Sequence, residues 1–467
     1  MLDMKRHYQL AVIGAGPAGL AAATTAAELG AEVAVFDEQG APGGQIYRAT
    51  ESIPEQRAQQ LGSEYRRGRE LVGAFRACGA KYFPTTQVWS LNGRREMGLV
   101  HQGRAFTVQA DQVVIAGGAI ERPVPFPGWT LAGVMNAGAG QILFKSHGIV
   151  PDDGVVLAGS GPLLLLLAWQ YLHAGVRVKA LLDLTPTWNH LLALPKLPRA
   201  LLAGHYLTKG LQYKRELRRA GVTTLHNVRN LCGEGENKLQ SVSFVHNGRE
   251  RSLETGLLLV HFGVIPHTQL ARIAGCRHVW DDSQLCWRPQ LDEWGGTSVE
   301  GILVAGDGGG IGGARSAEHA GRLSALQALY ALGALDRAAR QRLSRMDRKW
   351  MREELHIRPF LESFFRISDD LLQVRSDDTL VCRCEEVTAG EIRAAIAQGH
   401  LDSNQVKFLT RCGMGACQGR QCAEAVSHIV AAATGKSVEE VGHYRERPPV
   451  NPLTLGQLAG LFPEETE

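Results

Sequence analysis

The sequence predicts an α/β fold with two parallel-sheet domains, followed by a small helical domain rich in cysteine. Three observations lead to this prediction. Residues 10–45 have the pattern strand, glycine-rich turn, helix, strand, and the same pattern begins again at Val155. Five of the nine cysteines lie between Cys382 and Cys422. The chain of 467 residues is long enough for roughly two to four domains. We therefore expect two Rossmann-like dinucleotide-binding units and one cysteine-rich unit.

The first glycine-rich turn has the spacing of a dinucleotide-binding site. A strand from Leu10 ends in a Gly-x-Gly-x-x-Gly turn, a helix of small residues follows, and a second strand ends in an acid. Such glycines permit a tight turn, close approach of a pyrophosphate and close helix packing, and the helix N-terminus favours phosphate. The acid hydrogen-bonds a ribose; Asp37 is the better candidate and Glu38 lies beside it. The predicted contacts are Gly14, Gly16, Pro17, Ala18, Gly19, Asp37 and Glu38.

Two later stretches indicate that the dinucleotide is FAD. Gly44 and Gln45 follow the acid in a Pro-Gly-Gly-Gln turn, which lies beneath the flavin or is a plain glycine-rich turn. Gly306 and Asp307 end an apolar strand and precede a second helix of small residues. An acid there accepts hydrogen bonds from ribityl hydroxyls, and the helix N-terminus stabilises negative charge on the reduced ring. The alternative role for Asp307 is a helix cap.

The repeat of the pattern at Val155 is imperfect. Gly159-Ser160-Gly161 repeats the turn, but Leu164 stands where the third glycine belongs, and a side chain there pushes the helix off the strand. Asp183 is the acid at the end of the next strand. We expect the fold to be repeated, and we favour a vestigial site or another nucleotide, such as an ATP-like one, over NAD(P).

The cysteine-rich segment predicts a metal centre. Cys382 and Cys384 open it, Cys417 and Cys422 close it, and a helix capped by Thr388 fits between them. Two cysteines on each of two turns can form a cage of four thiolates, which suits a 2Fe–2S cluster, while zinc would also accept four thiolates. An empty site is the third alternative. We favour the 2Fe–2S cluster.

This spacing resembles that of the bacterioferritin-associated ferredoxin-like domain, which carries a 2Fe–2S cluster. A similar segment also ends the large subunit of anaerobic glycerol-3-phosphate dehydrogenase. The resemblance leaves Cys412 as a spare thiol or an alternative ligand. The ligands that it implies are Cys382, Cys384, Cys417 and Cys422.

Composition limits the classes of function. A net charge of +3 implies no strong polyanion partner such as a nucleic acid. The longest apolar run, Leu163–Ala168, is too short to span a bilayer, and the N-terminal apolar stretch belongs to the first glycine-rich turn rather than to a signal peptide. The cysteines are not spaced as a disulfide framework, which indicates a reducing compartment. We expect a cytoplasmic protein, either free or peripheral at the inner membrane, and not an integral membrane protein.

The paired units resemble the two-dinucleotide-binding-domain flavoproteins over residues 8–330. Disulfide reductases of that group need a cysteine pair beside the flavin, and this chain has no such pair there, so dithiol chemistry is not expected. The resemblance implies a discontinuous first domain. The predicted division is residues 1–150 and 255–333 for the FAD-binding domain, 151–254 for the second nucleotide-binding-like domain, 334–377 for a helical connector, 378–435 for the 2Fe–2S domain and 436–467 for a C-terminal tail.

The combination of both halves, with the segment 120–129, resembles the α (A) subunits of heteromeric FAD-dependent amino-acid dehydrogenases. These include opine oxidases, D-hydroxyproline dehydrogenase, dye-linked proline dehydrogenase and the B subunit of hydrogen cyanide synthase. The resemblance implies a hetero-oligomer in which a catalytic FAD-containing β subunit oxidises the substrate, and in which a further partner is a small ferredoxin-like subunit. This chain then passes electrons through FAD and the cluster to a respiratory or other acceptor.

Two rival functions remain open at this point. One is a self-sufficient NAD(P)H-dependent FAD oxidoreductase, and the other is a non-redox assembly scaffold for the β subunit. We assign no catalytic residue, because the relay needs no side chain as acid or base. The substrate, which is of the D-hydroxyproline, proline, opine or glycine type, is not specified by this chain, since the substrate site is expected on the partner.

Overall fold

The computed structural model describes residues 4–461, so residues 1–3 of the predicted first domain and residues 462–467 of the predicted tail lie outside it. It confirms the α/β fold: two sheets with parallel strands are each covered by helices, and a small helical unit follows. Within the described part, no helix is both long and apolar enough to cross a membrane.

The first sheet has seven strands, and its parallel part carries the first glycine-rich turn. The long strand Arg104–Ile115 divides it: its beginning pairs with an antiparallel meander, and its end pairs with parallel strands on both sides. Buried strands of this kind are apolar on both faces. The parallel strands are Lys81–Phe83, Val33–Phe36, His7–Ile13, Arg104–Ile115 and Ile302–Val304, and the meander adds Glu96–His101 and Thr86–Leu91.

Small residues let the two main helices of this domain approach each other closely. Pro17–Glu28 packs against Ala314–Ala331, and a Cβ on Gly321 would lie only 2.1 Å from the Ala18 carbonyl oxygen. The contact joins the N-terminal stretch to a helix that is about 300 residues later in the chain. The other helices of the domain are Glu55–Leu61, Ser63–Ala77 and Gln269–Ile273.

The second sheet is wholly parallel, as expected for a repeated Rossmann-like unit. Its limits differ from the predicted 151–254, because an edge strand comes from the predicted range 1–150 and an inner strand from 255–333. Leu258–His261 is buried throughout and pairs in parallel with Val155–Gly159. A parallel neighbour has to come from a part of the chain that is distant in sequence. The strand order is Thr223–His226, Val178–Asp183, Val155–Gly159, Leu258–His261 and Val134–Asn136, with helices Ala137–His147, Pro162–His173 and Gly204–Arg219.

Smaller elements surround the two sheets. An antiparallel three-stranded sheet and two short ribbons extend the second unit and its links to the first. Their strands are Arg229–Glu234, Ser241–His246 and Arg249–Glu254, then Ala119–Glu121 with Val264–Pro266, and His278–Asp281 with Cys286–Pro289. Four short helical turns precede Gly204: Asn189–Ala193, Leu194–Lys196, Leu197–Ala200 and Leu201–Ala203. Gly306–Gly309 is a further short turn.

The connector and the cysteine-rich unit are helical, as predicted. The connector consists of Arg337–Glu354, Leu355–Ile357, Arg358–Phe364 and Asp369–Leu372. Thr388 caps the next helix with a full capping box, which confirms the predicted N-cap. The cysteine-rich unit has a core of its own and contains Leu380–Cys382, Val387–Thr388, Ala389–Ala397, Ser403–Thr410, Ala423–Thr434 and Val438–Val441. The tail then returns to the first domain, where Leu455–Ala459 packs on the strand Arg104–Ile115.

A buried lysine links the two nucleotide-binding units. Lys145, on a helix of the second unit, donates hydrogen bonds to the carbonyls of Gln45 (3.2 Å) and Ile46 (3.0 Å) in the first. Its side chain is almost fully buried. Burial, and then the nearby Arg48 guanidinium, lower the pKa of Lys145 from 10.5 to about 7.

The lowered pKa of Lys145 predicts that the stability of the fold depends on pH. Between about pH 7 and pH 10.5 the folded chain binds fewer protons at Lys145 than the unfolded chain does, so the free energy of unfolding rises with pH. We expect this gain to reach about 2–3 kcal/mol between about pH 7.5 and 9.5, and to be absent from Lys145→Met. Urea unfolding at both pH values measures it, with exposed Lys349→Met as the control. An equal pH dependence in wild type and Lys145→Met would contradict the prediction.

Candidate functional site

One cavity of about 930 Å³ lies between the two nucleotide-binding units. Both glycine-rich turns line it, since Gly14 and Gly16 belong to the first and Ser160 and Gly161 to the second. Of the predicted cofactor residues, Gly19 and Gly306 are not among the lining residues. Those that line it are Gly14, Gly16, Pro17, Ala18, Asp37, Glu38, Gly44, Gln45 and Asp307. Nine of the eleven residues chosen from the sequence therefore line one cavity.

The first turn is packed so tightly that only glycine fits at several places. A Cβ on Gly19 would lie 1.8 Å from the Gly14 carbonyl oxygen, so Gly19 allows the helix to meet the strand. A Cβ on Gly44 would lie 2.7 Å from the Gly16 Cα, which places the Gly43–Gly44 turn directly against the first turn. The amide of Gly43 donates to the Ala15 carbonyl over 2.8 Å. The two turns together form one floor of the cavity.

The two neighbouring acids have different environments. Asp37 is buried, and its two oxygens accept hydrogen bonds from the backbone N–H groups of Ala15 and Gln39, each at 2.9 Å. Burial raises the pKa of Asp37 even though these two bonds act against the shift. Glu38 is exposed at the cavity, and its carboxylate accepts from the Gln39 side chain at 3.2 Å. Asp37 therefore fixes the turn, and Glu38 is the acid with a carboxylate directed to a ligand-accessible surface.

A further acid at the cavity, Asp307, fixes the loop that precedes a helix. Asp307 Oδ1 accepts from the amides of Gly312 (2.8 Å) and Gly313 (2.9 Å), just before the helix Ala314–Ala331. Its other oxygen makes no hydrogen bond to any residue that the structure describes. Gly306, which precedes it, is a packing residue, because a Cβ there would lie 2.8 Å from the Ala18 Cβ. One oxygen of Asp307 thus shapes the loop, and the other is left for a ligand hydroxyl.

The chain's own connector makes a hydrogen bond to the second glycine-rich turn. Ser160 Oγ donates to the Phe365 carbonyl (2.9 Å) and is bonded to Thr185 Oγ1 (2.8 Å). Asn189 holds the same stretch of connector through the carbonyls of Phe364 and Arg366. The hydroxyl and the amide of Ser160 are therefore engaged by protein atoms, the amide by the His261 carbonyl at 2.8 Å, while Ser160 and Gly161 still line the cavity.

The acid and the leucine that the sequence singled out in the second unit both have partners within the chain. Asp183 accepts from the Thr185 amide and bonds His226 Nδ1, each at 3.0 Å. Leu164, at the missing glycine position, is buried in the main core, where it packs with Leu167. The side chain that makes the motif defective is thus a core residue.

A buried histidine and a partly buried glutamate at the cavity were not found from the sequence. His261 Nδ1 lies 2.6 Å from Glu121 Oε1, and Glu121 Oε2 accepts from the Gly138 amide at 2.8 Å. Both residues end strands, Leu258–His261 and Ala119–Glu121, and both line the cavity. A polar residue at the carboxyl end of an apolar strand is the sequence signal that points to such a position.

The cysteines are grouped differently from the predicted ligand set. The sulfurs of Cys382, Cys412 and Cys422 lie within 4.8 Å of one another, and all three residues are buried. Cys384 is exposed and Cys417 is half-buried, and these two lie beside each other. Cys412, predicted as a spare thiol, is therefore part of the buried group. The physical reason is a left-handed turn at Arg411 (φ 63°), which ends the helix Ser403–Thr410 and turns the chain inward.

The surroundings of these cysteines fit a group held by thiolates. Hydrogen bonds from the thiols of Cys412 and Cys422, and further bonds from backbone amides, lower the pKa of Cys382 to about 2. Tyr444 is buried against Gly413 and Gly419, and its hydroxyl is directed at the sulfurs of Cys412 and Cys422. A buried hydroxyl needs an acceptor, and thiolates or cluster sulfides are acceptors.

The turn between the last two cysteines also forms part of the cavity wall. Arg420 donates to Gln269 Oε1 (3.1 Å) and Asn451 Oδ1 (2.8 Å), and both Arg420 and Asn451 line the cavity. Nearby, a buried ion pair of 2.7 Å joins Arg122 of the nucleotide-binding part to Glu424 of the cysteine-rich unit. The cysteine-rich unit is thus in direct contact with the nucleotide-binding part.

Comparison with known proteins agrees with this geometry. Residues 8–322 match the pyridine nucleotide-disulphide oxidoreductase family, and residues 376–461 match the sarcosine oxidase A3 domain. The A subunit of opine oxidase from Rhizobium meliloti is 41% identical, covering 98% of this chain and 88% of its own length. The hydrogen cyanide synthase subunit HcnB of Pseudomonas aeruginosa strain PAO1 is 33% identical, covering 97% and 98%.

Solved structures support the fold. L-proline dehydrogenase from P. horikoshii superposes with a TM-score of 0.72 at 20% identity, covering 97% of this chain and 79% of that one. Thioredoxin reductase of T. acidophilum matches the nucleotide-binding part, with a TM-score of 0.51 over 71% of this chain. The chain therefore belongs to the pyridine nucleotide-disulphide oxidoreductase family and, as its sequence predicted, to the flavin-dependent oxidoreductase subunits that include HcnB and the A subunit of opine oxidase.

Proposed function

We propose that this chain is the electron-transferring FAD and 2Fe–2S subunit of a heteromeric dehydrogenase of amino acids or secondary amines. The observation that carries the proposal is the contact between the connector and the second turn: Ser160 donates to the chain's own Phe365 carbonyl, where a pyridine nucleotide would bring its phosphates. This contact disfavours a pyridine nucleotide at the second turn, although the turn lines the cavity, and it favours another chain as the source of electrons. The match to the A subunit of opine oxidase over 98% of the chain supports a partner chain of the complex as their source.

FAD fits the cavity beside the first glycine-rich turn. A bound flavin takes two electrons and can release them singly, whereas a 2Fe–2S centre takes one at a time. The turn of Gly14 and Gly16 and the start of the helix at Pro17 receive the pyrophosphate. Glu38 takes the ribose hydroxyls instead of Asp37, whose oxygens are used by backbone amides. Asp307 holds the ribityl chain through its free oxygen.

For the cluster we retain the ligand set implied by the sequence, with one alternative ligand. Cys382 and Cys422 belong both to that set and to the buried group, so they are the two firm ligands. Cys384 and Cys417 supply the other two, being adjacent to each other on the two turns that hold Cys382 and Cys422. Cys412 is the rival ligand, since its sulfur already lies in the buried group.

The proposed partners and location follow from the same picture. A catalytic FAD-containing β subunit carries the substrate site, and a small ferredoxin-like subunit completes a hetero-oligomer. All nine cysteines are free, which agrees with a reducing compartment such as the cytoplasm. The electrons leave to a respiratory or other acceptor.

The two acids after the second strand give a paired test of the FAD site. Glu38→Gln should weaken FAD binding about tenfold and leave the apo chain as stable as wild type, because one charge-assisted hydrogen bond is lost. Asp37→Asn should destabilise the apo chain by about 1–3 kcal/mol, because one buried amide loses its acceptor. Equilibrium dialysis of FAD and urea unfolding of apo protein measure both. If only Asp37→Asn released FAD, without loss of stability, the ribose contact would belong to Asp37.

Iron content distinguishes the two ligand sets. We expect Cys417→Ser to lose iron and acid-labile sulfide, and Cys412→Ser to retain both, since the proposed cluster needs its four thiolates and no fifth. Metal analysis of anaerobically purified protein is the measurement, with buried Cys276→Ser, outside the cysteine-rich unit, as the control. Loss of iron from Cys412→Ser with retention in Cys384→Ser would replace Cys384 by Cys412. Zinc in place of iron would contradict the cluster.

The function itself is tested by the source of electrons. Under anaerobic conditions NADH or NADPH should leave the flavin of the purified chain oxidised, because Ser160 of the second turn is bonded to the connector. The chain purified with its β subunit should be bleached by one of proline, D-hydroxyproline, opines or glycine. Rapid bleaching by NADH alone would show a self-sufficient oxidoreductase. Unchanged dye reduction by a complex carrying Asp307→Ala or Cys382→Ser would show a scaffold.

A further inference from the structure

In the segment between residues 188 and 211 the small apolar side chains are buried and the large ones are exposed to solvent. Ala193 and Ala200 are fully buried, whereas Leu191 is 73% exposed and Leu202 is 70% exposed. In an amphipathic segment that only covers a domain, the large apolar side chains face inward. The outward-facing apolar residues are Trp188, Leu191, Leu192, Leu194, Leu201, Leu202 and Leu211, and we call them the leucine face.

The inner side of this segment is already packed within the chain. Ala200 and Ala203 form a small core with Ile357 of the connector. Tyr206 donates a hydrogen bond to Glu354 at 2.6 Å, and Lys196 bonds to Ser363. The segment is therefore held in place, and the leucine face is what remains on its outer side. An exposed apolar patch of this extent marks an interaction surface.

The charge around the leucine face has one sign. No acid occurs between Asp183 and Glu216, so every charged side chain in that stretch is basic. Among the acids packed against it, Glu64 pairs with Lys209 at 2.9 Å, and Glu354 is engaged by Tyr206. The basic residues that remain along the segment and the helix after it include Lys196, Arg199, Lys214 and Arg215, of which Lys196 and Arg199 lie among the exposed leucines.

We propose that the leucine face binds an anionic lipid surface, with its leucines at the boundary between headgroups and acyl chains and with Lys196 and Arg199 at the lipid phosphates. Leucines beside lysine and arginine, in short helices that lie along a surface, are the composition of an interfacial membrane contact. Six of the seven apolar side chains are leucine, which is under-represented among energetically important protein–protein contacts, and the seventh, Trp188, is a residue type found on the apolar side of interfacial helices. This inference needs no cofactor or substrate and does not depend on the proposed function.

Vesicle sedimentation of the full chain tests the proposal. The chain should sediment with vesicles of phosphatidylcholine and phosphatidylglycerol in equal parts, much less with phosphatidylcholine alone, and less in high salt. Leu191→Ser with Leu202→Ser, and separately Lys196→Glu with Arg199→Glu, should each weaken this binding by at least about tenfold. The matched control is Phe408→Ser with Leu455→Ser, whose side chains are 79% and 85% exposed outside the segment.

Three results would overturn the proposal. The first is absence of wild-type binding to the anionic vesicles. The second is equal loss of binding in the control variant. The third is a wild type that ignores vesicles while Leu191→Ser with Leu202→Ser releases the β subunit, which would make the leucine face a protein interface. Thermal unfolding of each variant shows whether the fold is kept, and since these side chains are exposed we expect unchanged midpoints.

Discussion

The buried carboxylate of Asp37 fixes the turn on which the first cofactor site depends. Burial raises the pKa of Asp37, and the amides of Ala15 and Gln39 supply the hydrogen bonds that make a carboxylate acceptable at this depth. The carboxylate ties the end of the second strand to the loop after the first. Gly16 and the first residues of the helix are thereby presented to the cavity, where the helix N-terminus favours an anion.

The sequence predicted the first strand–turn–helix unit well because its determinants are local. The spacing of Gly14, Gly16 and Gly19 and the acid after the next strand are set by a single strand–turn–helix unit. The sequence could not separate the environments of Asp37 and Glu38, because consecutive residues at a strand end point in opposite directions and only the fold decides which one is buried. The second sheet crosses the predicted domain limits for another reason: the strand Leu258–His261 pairs with partners about 100 residues or more away in the chain.

The cysteine-rich unit was predicted as a unit but not in its detail. The capping box at Thr388 is local and was found, whereas the inward place of Cys412 depends on a left-handed residue at Arg411. A non-glycine residue rarely adopts that conformation, so no spacing rule anticipates it. His261 and Glu121 were missed because they meet only when two distant strands end at the same cavity.

The cofactor cavity and the cysteine turn share a side chain, and this has a mechanical consequence. Arg420 belongs to the turn between Cys417 and Cys422, yet its guanidinium is held by Gln269 and Asn451 at the cavity wall. The position of the turn that presents the cysteines is therefore set in part by the wall of the cavity, through these two hydrogen bonds.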